Sequence, residues 1–330
     1  MQSLFHQLAE RVLAGGEITN EEAELVLNCP DYQILDVLSA AYEIRRKYFS
    51  NKVKLNMIIN TKSGLCPEDC GYCAQSIVST APIEKYSMMK KEEIVATAKR
   101  AVELQVGTYC IVASGRGPTN REIDIVTQSV KEIKDQYADL KVCACLGILK
   151  DGQAELLKEA GVDRYNHNIN TSENHHGNIT TTHTFNDRVA TIERVKDAHI
   201  SPCSGVIIGM EETMDDVITM ARKMKELQVD SIPINFFHPV EGTPLAKEST
   251  LQPLYCLKVL CLFRFINPTR EIRIAGGREV NMRSLQPLGL YPANSIFVGD
   301  YLTTEGQSQS DDIKMLEDAG FEVEQLVKRA

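Results

Sequence analysis

The chain has 330 residues, 43% of them hydrophobic, which is enough to bury a large core in one barrel-sized domain or in two ordinary domains. This composition excludes a mainly disordered chain. The formal net charge of −9 argues against a broad surface for nucleic acid or for anionic membranes, because such surfaces need clustered lysine and arginine, so a small-molecule site is the expected function class.

The amino-terminal segment does not resemble a targeting sequence. Residues 1–19 contain acids and have no basic flank leading into a long apolar core. No stretch of the sequence approaches the roughly 18 consecutive apolar residues of a membrane span. We therefore expect a cytoplasmic protein, and the reducing cytoplasm argues against a disulfide framework for its ten cysteines. Metal binding or catalysis is the expected role of any organised set of them.

Residues 1–50 carry helical patterns and no strand pattern. Three helical stretches are predicted there, of which the last is Ile34–Phe49. We interpret residues 1–50 as an amino-terminal helical cap. Residues 51–330 are predicted to form the main domain, which ends in a carboxy-terminal helix.

Beyond residue 50, strand and helix patterns alternate. Eight short runs rich in β-branched residues predict strands at Val53–Asn60, Thr108–Ser114, Lys141–Gly147, Arg164–Asn170, Ile200–Gly209, Ser231–His238, Glu271–Gly276 and Ser295–Gly299. Apolar residues spaced three and four apart predict helices at Lys90–Leu104, Asn120–Tyr137, Gln153–Glu159, Asp187–Lys196, Met214–Leu227 and Pro253–Ile266. This alternation predicts an α/β fold, a (β/α)8 barrel of the TIM type. An open doubly wound sheet is the alternative, although no GxGxxG motif follows the first run.

Three cysteines follow the first predicted strand in a CxxxCxxC pattern, Cys66, Cys70 and Cys73. A compact loop of this kind can place three thiolates around one [4Fe–4S] cluster, and a cluster that normally takes four cysteines then keeps one iron open. A zinc site completed by a distant histidine is the alternative. No histidine is close in sequence, since the nearest are His6 and His167.

This motif, together with the aromatic Tyr72 before the last cysteine, resembles the radical S-adenosylmethionine superfamily. A second element, GxIxGxxE at Gly205, Ile207 and Glu212, matches a pattern of several of its members. The resemblance implies that S-adenosylmethionine chelates the open iron. An electron from the cluster would then cleave its sulfonium and release a 5′-deoxyadenosyl radical.

Four residues on separate predicted strands form a second constellation, Cys110, Cys143, Cys203 and Arg273. Side chains from these strands can project into one barrel interior. Each thiol alone is more simply explained as a buried packing residue. A buried arginine needs a partner, and no acid in the predicted barrel-facing set is an obvious mate for Arg273.

These contexts resemble the biotin synthase family over residues 55–302. The resemblance implies that Cys110, Cys143, Cys203 and Arg273 hold a [2Fe–2S] cluster, which donates sulfur between C6 and C9 of dethiobiotin. Cys145 lies two residues from Cys143 on the same strand face, so spacing does not choose between them, and the family context favours Cys143. The remaining cysteines are interpreted as packing residues: Cys29, Cys256 and Cys261.

The polar segment Tyr165–Ser172 ends the fourth predicted strand and could be a simple capped turn. In the family it resembles the stretch that contacts S-adenosylmethionine and dethiobiotin. The implied cofactor-binding residues are Tyr72, Asn168, Asn170, Gly205, Ile207 and Glu212. The implied substrate-binding residues are Asn166, Asn168 and Asn235. Many relatives carry Asp at the position of Asn170, and His238 is better explained as a strand-end histidine than as a ligand.

Two rival functions follow from the same motifs. Another radical S-adenosylmethionine enzyme, of the lipoyl synthase or hydrogenase-maturation type, shares the first constellation, but lipoyl synthase needs further cysteines where this chain offers only Cys29. An iron–sulfur carrier without catalysis does not account for the amide-rich segment. The family resemblance also implies an electron donor such as flavodoxin or ferredoxin, and a homodimer.

Overall fold

The computed structural model of the chain describes residues 3–247 and 251–324. Within these residues eight parallel strands form a closed barrel. Its fifth strand is split into two pieces, which both pair with the sixth. The strands are β1 (Lys52–Lys62), β2 (Thr108–Ala113), β3 (Lys141–Cys145), β4 (Arg164–Asn166), β5 (Ser201–Cys203) with β6 (Val206–Ile208), β7 (Ser231–Phe236), β8 (Glu271–Ile274) and β9 (Ser295–Phe297).

Closure comes from the pairing of β1 with β9, in which Lys54 opposes Ser295 and Asn56 opposes Phe297. An open doubly wound sheet would leave these strands as edges, so this pairing excludes it, and the predicted (β/α)8 fold is confirmed. A short segment, β10 (Glu322–Val323), pairs with the start of β1 outside the barrel.

Helices surround the barrel on its outer face. Those following the strands are α4 (Lys91–Glu103), α5 (Asn120–Gln136), α6 (Gln153–Glu159), α7 (Glu173–Ile179), α8 (Phe185–Asp197), α9 (Met214–Glu226), α10 (Pro253–Ile266), α11 (Arg278–Met282) and α12 (Gln309–Asp318). Two 3-10 segments lie at Asp31–Gln33 and Arg283–Leu290. Several helices begin with a capping box, for example Thr119 with Glu122 in α5, because the two residues satisfy each other's backbone N–H groups.

The amino-terminal helices are α1 (Leu4–Leu13), α2 (Asn20–Leu27) and α3 (Ile34–Phe49), as predicted. They pack on one another and on α9 and α10, at the side of the barrel. Arg45 of α3 donates to the carbonyls of Lys52 and Ala293, which precede or begin barrel strands. These contacts place the helical extension beside the amino-terminal ends of the strands, at the end of the barrel opposite to the carboxyl ends of the strands. The domain boundary at residue 50 stays a prediction, and residues 1, 2 and 325–330 lie outside the described part of the chain.

The core is continuous between the strands and the surrounding helices. Helix α10 is buried at every residue from Cys256 to Ile266, including Cys261. Cys29 and Cys256 are also fully packed, which agrees with their interpretation as packing residues. Over the described ranges, no helix has the length and hydropathy needed to cross a bilayer.

Candidate functional site

A cavity of about 350 Å³ lies inside the barrel and opens where the strands end, the position at which barrels of this kind carry their active sites. Its size suits a small organic molecule. It is lined by residues of both predicted constellations and by apolar side chains of the barrel wall. The residues predicted from sequence that line it are Cys66, Cys70, Tyr72, Cys73, Cys110, Cys143, Cys145, Asn166, Asn168, Asn170, Ile207, Asn235 and Arg273.

The thiols at this cavity form two groups. The loop cysteines are Cys66, Cys70 and Cys73, which lie on the long connection between β1 and α4. The strand cysteines are Cys110 on β2, Cys143 on β3 and Cys203 on β5. Both groups meet at the same cavity, although Cys203 is buried just behind its wall.

Backbone contacts shape the connection that carries the loop cysteines. The N–H of Cys73 donates to the carbonyl of Cys70 at 3.1 Å, which closes a tight turn. The N–H of Gly71 donates to the carbonyl of Ile179 at 2.9 Å, and the Gln75 side chain accepts from the N–H of Gly64 at 2.9 Å. The loop is therefore fixed at three points although it contains no helix or strand.

Two acids between the loop cysteines fasten this connection to the segment before α8. Asp69 accepts hydrogen bonds from the hydroxyls of Thr180 and Thr182 at 2.6 and 3.0 Å and from the N–H of Thr181 at 2.9 Å. Burial opposes its ionisation, but these hydrogen bonds hold the pKa of Asp69 well below its usual value. The carboxylate thus ties the loop to residues more than a hundred positions away in sequence.

Glu68 makes the second attachment. Its carboxylate accepts from the Thr182 hydroxyl at 2.7 Å, contacts the His183 ring and pairs with Arg116 at 3.3 Å. Its side chain is buried, so its charge needs these partners. Together the two acids explain why residues of the CxxxCxxC spacer are polar.

The loop cysteines supply three thiols to one cavity. Burial raises the pKa of each of the three thiols, to about 12 for Cys73, and the charges of neighbouring thiolates add to the shift for Cys70 and Cys73. The free thiols are therefore protonated at neutral pH, and a bound metal would release their protons. In the part of the chain that the structure describes, no three His, Cys, Asp or Glu side chains lie close enough to hold one metal ion. A cluster spreads its ligands around several irons, so three thiols that line one cavity are compatible with such a cluster.

Two histidines reach the site from distant parts of the sequence. His167 and His183 are distant from the loop cysteines in sequence, yet both line the same cavity. Burial lowers the pKa of His167 well below its ordinary value, so this ring is neutral. Its Nε2 has no hydrogen-bond partner among the described residues.

The barrel register brings the strand cysteines together. Cys110 and Cys143 are direct partners in the pairing of β2 with β3, and Cys203 lies opposite Asn166 in the pairing of β4 with β5. A hydrogen bond with Cys110 and burial raise the pKa of Cys143 well above its ordinary value. Cys203 Sγ accepts from Asn166 Nδ2 at 3.2 Å. Three softly ligating thiols inside one barrel suit an iron–sulfur cluster.

Arg273 has an acidic partner, contrary to the expectation from sequence. Its Nη2 contacts Glu271 Oε1 at 2.5 Å, and both side chains are buried. Glu271 lies two residues earlier on β8 and therefore points to the same face. Burial opposes its ionisation, but Arg164, Arg273 and Lys54 hold the pKa of Glu271 well below its ordinary value.

Cys145 also lines the cavity, two residues closer to the carboxyl end of β3 than Cys143. Burial raises its pKa to about 12, and the charges of Cys143 and Cys203 add to the shift. Cys143 lies beside Cys110 in register and beside Arg164 on β4. This placement supports Cys143 as the ligand, and the choice stays a prediction.

The asparagines at the end of β4 form one hydrogen-bonded series. Asn166 Nδ2 donates to Asn168 Oδ1 at 2.9 Å, and the same oxygen accepts from the N–H of Gly205 at 2.9 Å. A side chain at Gly205 would overlap the backbone oxygen of Pro233, so glycine is required there. Gly205 thus supports Asn168 from behind and does not itself line the cavity.

Asn170 connects the barrel to the loop that carries the first three cysteines. Its backbone bonds to Gly205 and Ile207, and its Nδ2 donates to the Tyr72 hydroxyl at 2.6 Å. Its φ of +67° lies in the left-handed region, which Asn and Asp tolerate better than other side chains. Burial raises the pKa of Tyr72 well above its ordinary value, so the phenol stays protonated.

Of the remaining residues predicted to contact substrate or cofactor, one lines the cavity and one holds the backbone behind its wall. Asn235 lines the cavity, while its amide donates to the carbonyl of Val206 and accepts from the N–H of Gly276, both at 3.0 Å. Glu212 does not line it, because its carboxylate accepts from the N–H groups of Gly209 and Met210 at 2.7 Å. A role of Glu212 toward the cofactor would therefore act through this turn.

Sequence reasoning missed Arg188, which is buried on α8 and lines the cavity. Its Nη1 donates to the carbonyl of Asn168 at 2.9 Å, whereas its Nε finds no hydrogen-bond partner in the described ranges. A buried guanidinium with an unused N–H suits a carboxylate of a bound molecule. Arg188 directly follows Asp187 in the first turn of α8, and nothing in the sequence pattern marked it as a site residue.

Comparisons with known proteins give two family models that together cover most of the barrel. The Radical SAM superfamily model matches residues 61–224, and the model of the Biotin and Thiamin Synthesis associated domain matches residues 233–322. Among solved structures, methylornithine synthase superposes with a TM-score of 0.84 at 19% identity, covering 97% of this chain and 98% of that one. The FeFe-hydrogenase maturase of Carboxydothermus hydrogenoformans gives 0.80 at 15% identity, covering 97% and 79%. At these identities the likeness shows the fold alone.

Curated relatives are much more similar in sequence. The chain is 65% identical to the biotin synthase of Bacillus licheniformis, over 97% of this chain and 96% of the relative. It is 66% identical to that of Geobacillus thermodenitrificans, over 96% and 95%, and 63% identical to that of Bacillus subtilis, over 97% and 95%. This identity extends over both matched domains, and the chain belongs to the biotin synthase family.

Proposed function

We propose that the chain converts dethiobiotin to biotin, the last step of biotin biosynthesis, by inserting sulfur between C6 and C9 in the central cavity. The observation that carries the proposal is the meeting of two separate groups of thiols at one cavity inside one barrel. A rival of the hydrogenase-maturation type shares the fold, but the sequence identity to the biotin synthases is more than three times higher. A carrier without catalysis leaves the amide-rich wall unexplained.

We assign the loop cysteines to a [4Fe–4S] cluster, and the strand cysteines with Arg273 to a [2Fe–2S] cluster. When bound, the first cluster with S-adenosylmethionine supplies a 5′-deoxyadenosyl radical that attacks unactivated C–H bonds, and the second supplies the sulfur. Side-chain acids and bases cannot remove such hydrogens at neutral pH, since the C–H bonds are not usefully acidic.

The residues of the chain bind and orient the two small molecules. Asn166, Asn168 and Asn235 offer amide donors and acceptors, which suit the neutral urea ring of dethiobiotin. Both S-adenosylmethionine and dethiobiotin carry a carboxylate, and Arg188 provides a buried positive charge beside Asn168. This support favours binding of both molecules between the two groups of cysteines.

A second set of side chains closes the cofactor side of the cavity. Tyr72 and Asn170 are held to each other, and Ile207 adds an apolar surface to the cavity wall. Gly205 and Glu212 hold the backbone behind this wall. The apolar lining excludes water and other hydrogen donors from the reacting atoms.

The partners and the compartment belong to the same proposal. One low-potential electron is needed for each cleavage of S-adenosylmethionine, so an electron donor such as flavodoxin or ferredoxin is required. All ten cysteines are free, which suits the reducing cytoplasm. A homodimer is proposed from the family resemblance.

Anaerobic reconstitution tests the function. The full chain, loaded with iron and sulfide, is mixed with a low-potential reductant, S-adenosylmethionine and dethiobiotin, and the products are quantified by mass spectrometry. We expect both 5′-deoxyadenosine and biotin. Absence of both products would exclude the catalytic proposal, whereas 5′-deoxyadenosine without biotin would point to a different substrate.

A further inference from the structure

Glu271 is a buried carboxylate inside the barrel, at the start of β8 and 5% exposed. Its neighbour in register on β7 is Ser231, which itself lies opposite Cys203 on β5. Glu271 therefore lies in the layer of the barrel next to the strand cysteines. An ionised side chain at such a depth is expensive unless every oxygen finds a partner.

The two oxygens of Glu271 serve different partners. Oε1 accepts from Arg273 Nη2 at 2.5 Å and from the Ser231 hydroxyl at 3.0 Å. Oε2 accepts from Lys54 Nζ at 2.9 Å and from Arg164 Nη1 at 3.1 Å. One oxygen is thus committed to the edge of Arg273, and the other balances two further cations.

The remaining contacts of Arg273 fix the same edge of its guanidinium. Nε donates to the Ser295 hydroxyl at 3.2 Å, and Nη2 also donates to the Ser231 hydroxyl at 3.0 Å. The guanidinium lies over the Phe297 ring, with Cζ 4.8 Å from the ring centroid. Within residues 3–247 and 251–324, Nη1 has no hydrogen bond, while the residue lines the cavity.

We infer that Glu271 is a positioning residue for Arg273: its carboxylate holds the guanidinium by Nη2 and leaves Nη1 for the iron site of the strand cysteines, where binding to iron would require loss of a proton from Nη1. This inference rests on the proposed assignment of Arg273 to the second cluster. Glu271 does not touch that site itself. It acts by fixing the rotation of the guanidinium plane and by separating Arg273 from the like charge of Arg164.

Loss of the carboxylate removes both the fixed rotation of the guanidinium and the separation of Arg273 from the charge of Arg164. Glu271→Gln keeps the size of the side chain but leaves Arg273, Arg164 and Lys54 as three cations with no shared anion. Their repulsion favours other orientations of Arg273, because the serine hydroxyls alone carry no charge. We expect binding of iron at the strand cysteines to weaken by about 10- to 100-fold, the usual effect of removing a residue that orients a metal ligand.

The test isolates the second site in the full chain. The loop cysteines are replaced by alanine, so that [2Fe–2S] assembly reports on the strand cysteines and Arg273 alone. Iron and sulfide content, visible absorption and resistance to a chelator are compared for Glu271, Glu271→Gln and Glu271→Asp. We expect the glutamine variant to lose the cluster and shift its absorption, and the shorter aspartate, which keeps the charge, to recover part of the binding.

A matched control comes from Asp312 on α12, whose buried carboxylate accepts from Arg278 Nη2 at 2.7 Å. This pair touches no cysteine, so Asp312→Asn reports the cost of breaking a buried ion pair elsewhere. Thermal unfolding of each variant without iron is followed by circular dichroism. We expect Asp312→Asn to keep the cluster and its spectrum.

The possible outcomes are distinct. If the parent with intact Glu271 assembles no [2Fe–2S] cluster, the proposed assignment of the second site is wrong. If the parent assembles the cluster and Glu271→Gln binds iron equally tightly with the same spectrum, only the positioning role of Glu271 is overturned. Unfolding of both Glu271 variants where Asp312→Asn stays folded would assign Glu271 to general stability and would also overturn it.

Discussion

The loop cysteines and the strand cysteines are held in place by different means. The loop cysteines lie on a connection without helix or strand, and side chains from a distant segment fasten that connection. The strand cysteines are fixed by the register of the barrel, which also builds the core. The first group can therefore be loosened without unfolding the protein, whereas the second is as rigid as the barrel itself.

Replacement of one thiol in each group has the largest expected effect. Cys203→Ala should abolish the [2Fe–2S] absorption and biotin formation while 5′-deoxyadenosine is still released, because the loop cysteines are untouched. Cys70→Ala should abolish 5′-deoxyadenosine and biotin and leave the second cluster in place. Iron content, visible spectra and product analysis after anaerobic reconstitution measure both effects.

The control for these two variants is Cys256→Ala, a thiol packed in α10 away from the cavity. It should retain both clusters. A normal yield of biotin from Cys203→Ala or Cys110→Ala would contradict the assignment of the strand cysteines. The pair Cys143→Ala and Cys145→Ala decides the ligand on β3, and we expect loss of the cluster from the first variant only.

The sequence predicted the fold well because the barrel repeats one local pattern. All eight predicted strands and six predicted helices are present with boundaries within a few residues. Helix α7 was missed, since Glu173–Ile179 is polar and contains a glycine, which hides the apolar spacing of a helix. Helix α11 was missed because it has only five residues, and the 3-10 segment Arg283–Leu290 contains a proline, which interrupts a helical pattern.

The site was predictable to different degrees in its two regions. Close spacing marked the loop cysteines, but the strand cysteines are dispersed over more than ninety positions and were joined through family resemblance. Glu271 was overlooked although its spacing of two from Arg273 places both on one face of β8. Arg188 and the attachment of Asp69 to Thr180 depend on tertiary packing, which no local pattern encodes.

Asp69→Ala tests the attachment of the loop and has the second largest expected effect. The substitution removes the acceptor of three consecutive threonines, so the loop cysteines lose their fixed arrangement. In a Cys203→Ala background, iron binding at the loop cysteines should weaken by about 10- to 100-fold. Titration with a chelator, followed by the absorption of the remaining cluster, measures the change.

Glu84→Gln is the matched control for Asp69→Ala, because Glu84 is an exposed acid on the same connection between β1 and α4. It should leave iron binding unchanged. The second cluster should also be unaffected by Asp69→Ala when the loop cysteines are intact. Equal iron affinity in Asp69→Ala and the parent would show that the backbone turn alone fixes the loop, and the contrast between the two regions would weaken.

Asn170 links the two regions and gives the smallest expected effect. Its side chain bonds to Tyr72 of the loop, and its backbone bonds to Gly205 and Ile207 of the barrel. Asn170→Asp keeps tolerance of the positive φ and lets the Tyr72 hydroxyl donate to a carboxylate, but it places a charge at a buried position, so the free energy of unfolding should fall at neutral pH. Asn170→Ala should lower it by about 1 kcal/mol, because alanine pays for the left-handed backbone without a compensating hydrogen bond.

Asn170→Gly separates the two causes, since glycine accepts the positive φ but lacks the bond to Tyr72. If backbone conformation dominates, glycine should be closer to the parent than alanine in urea denaturation of the iron-free chain. The KM for S-adenosylmethionine should then rise in both variants, because both leave Tyr72 without its partner. Equal stability of alanine and glycine variants would mean that the strain at residue 170 is negligible, and that Asn170 serves the loop through its side chain alone.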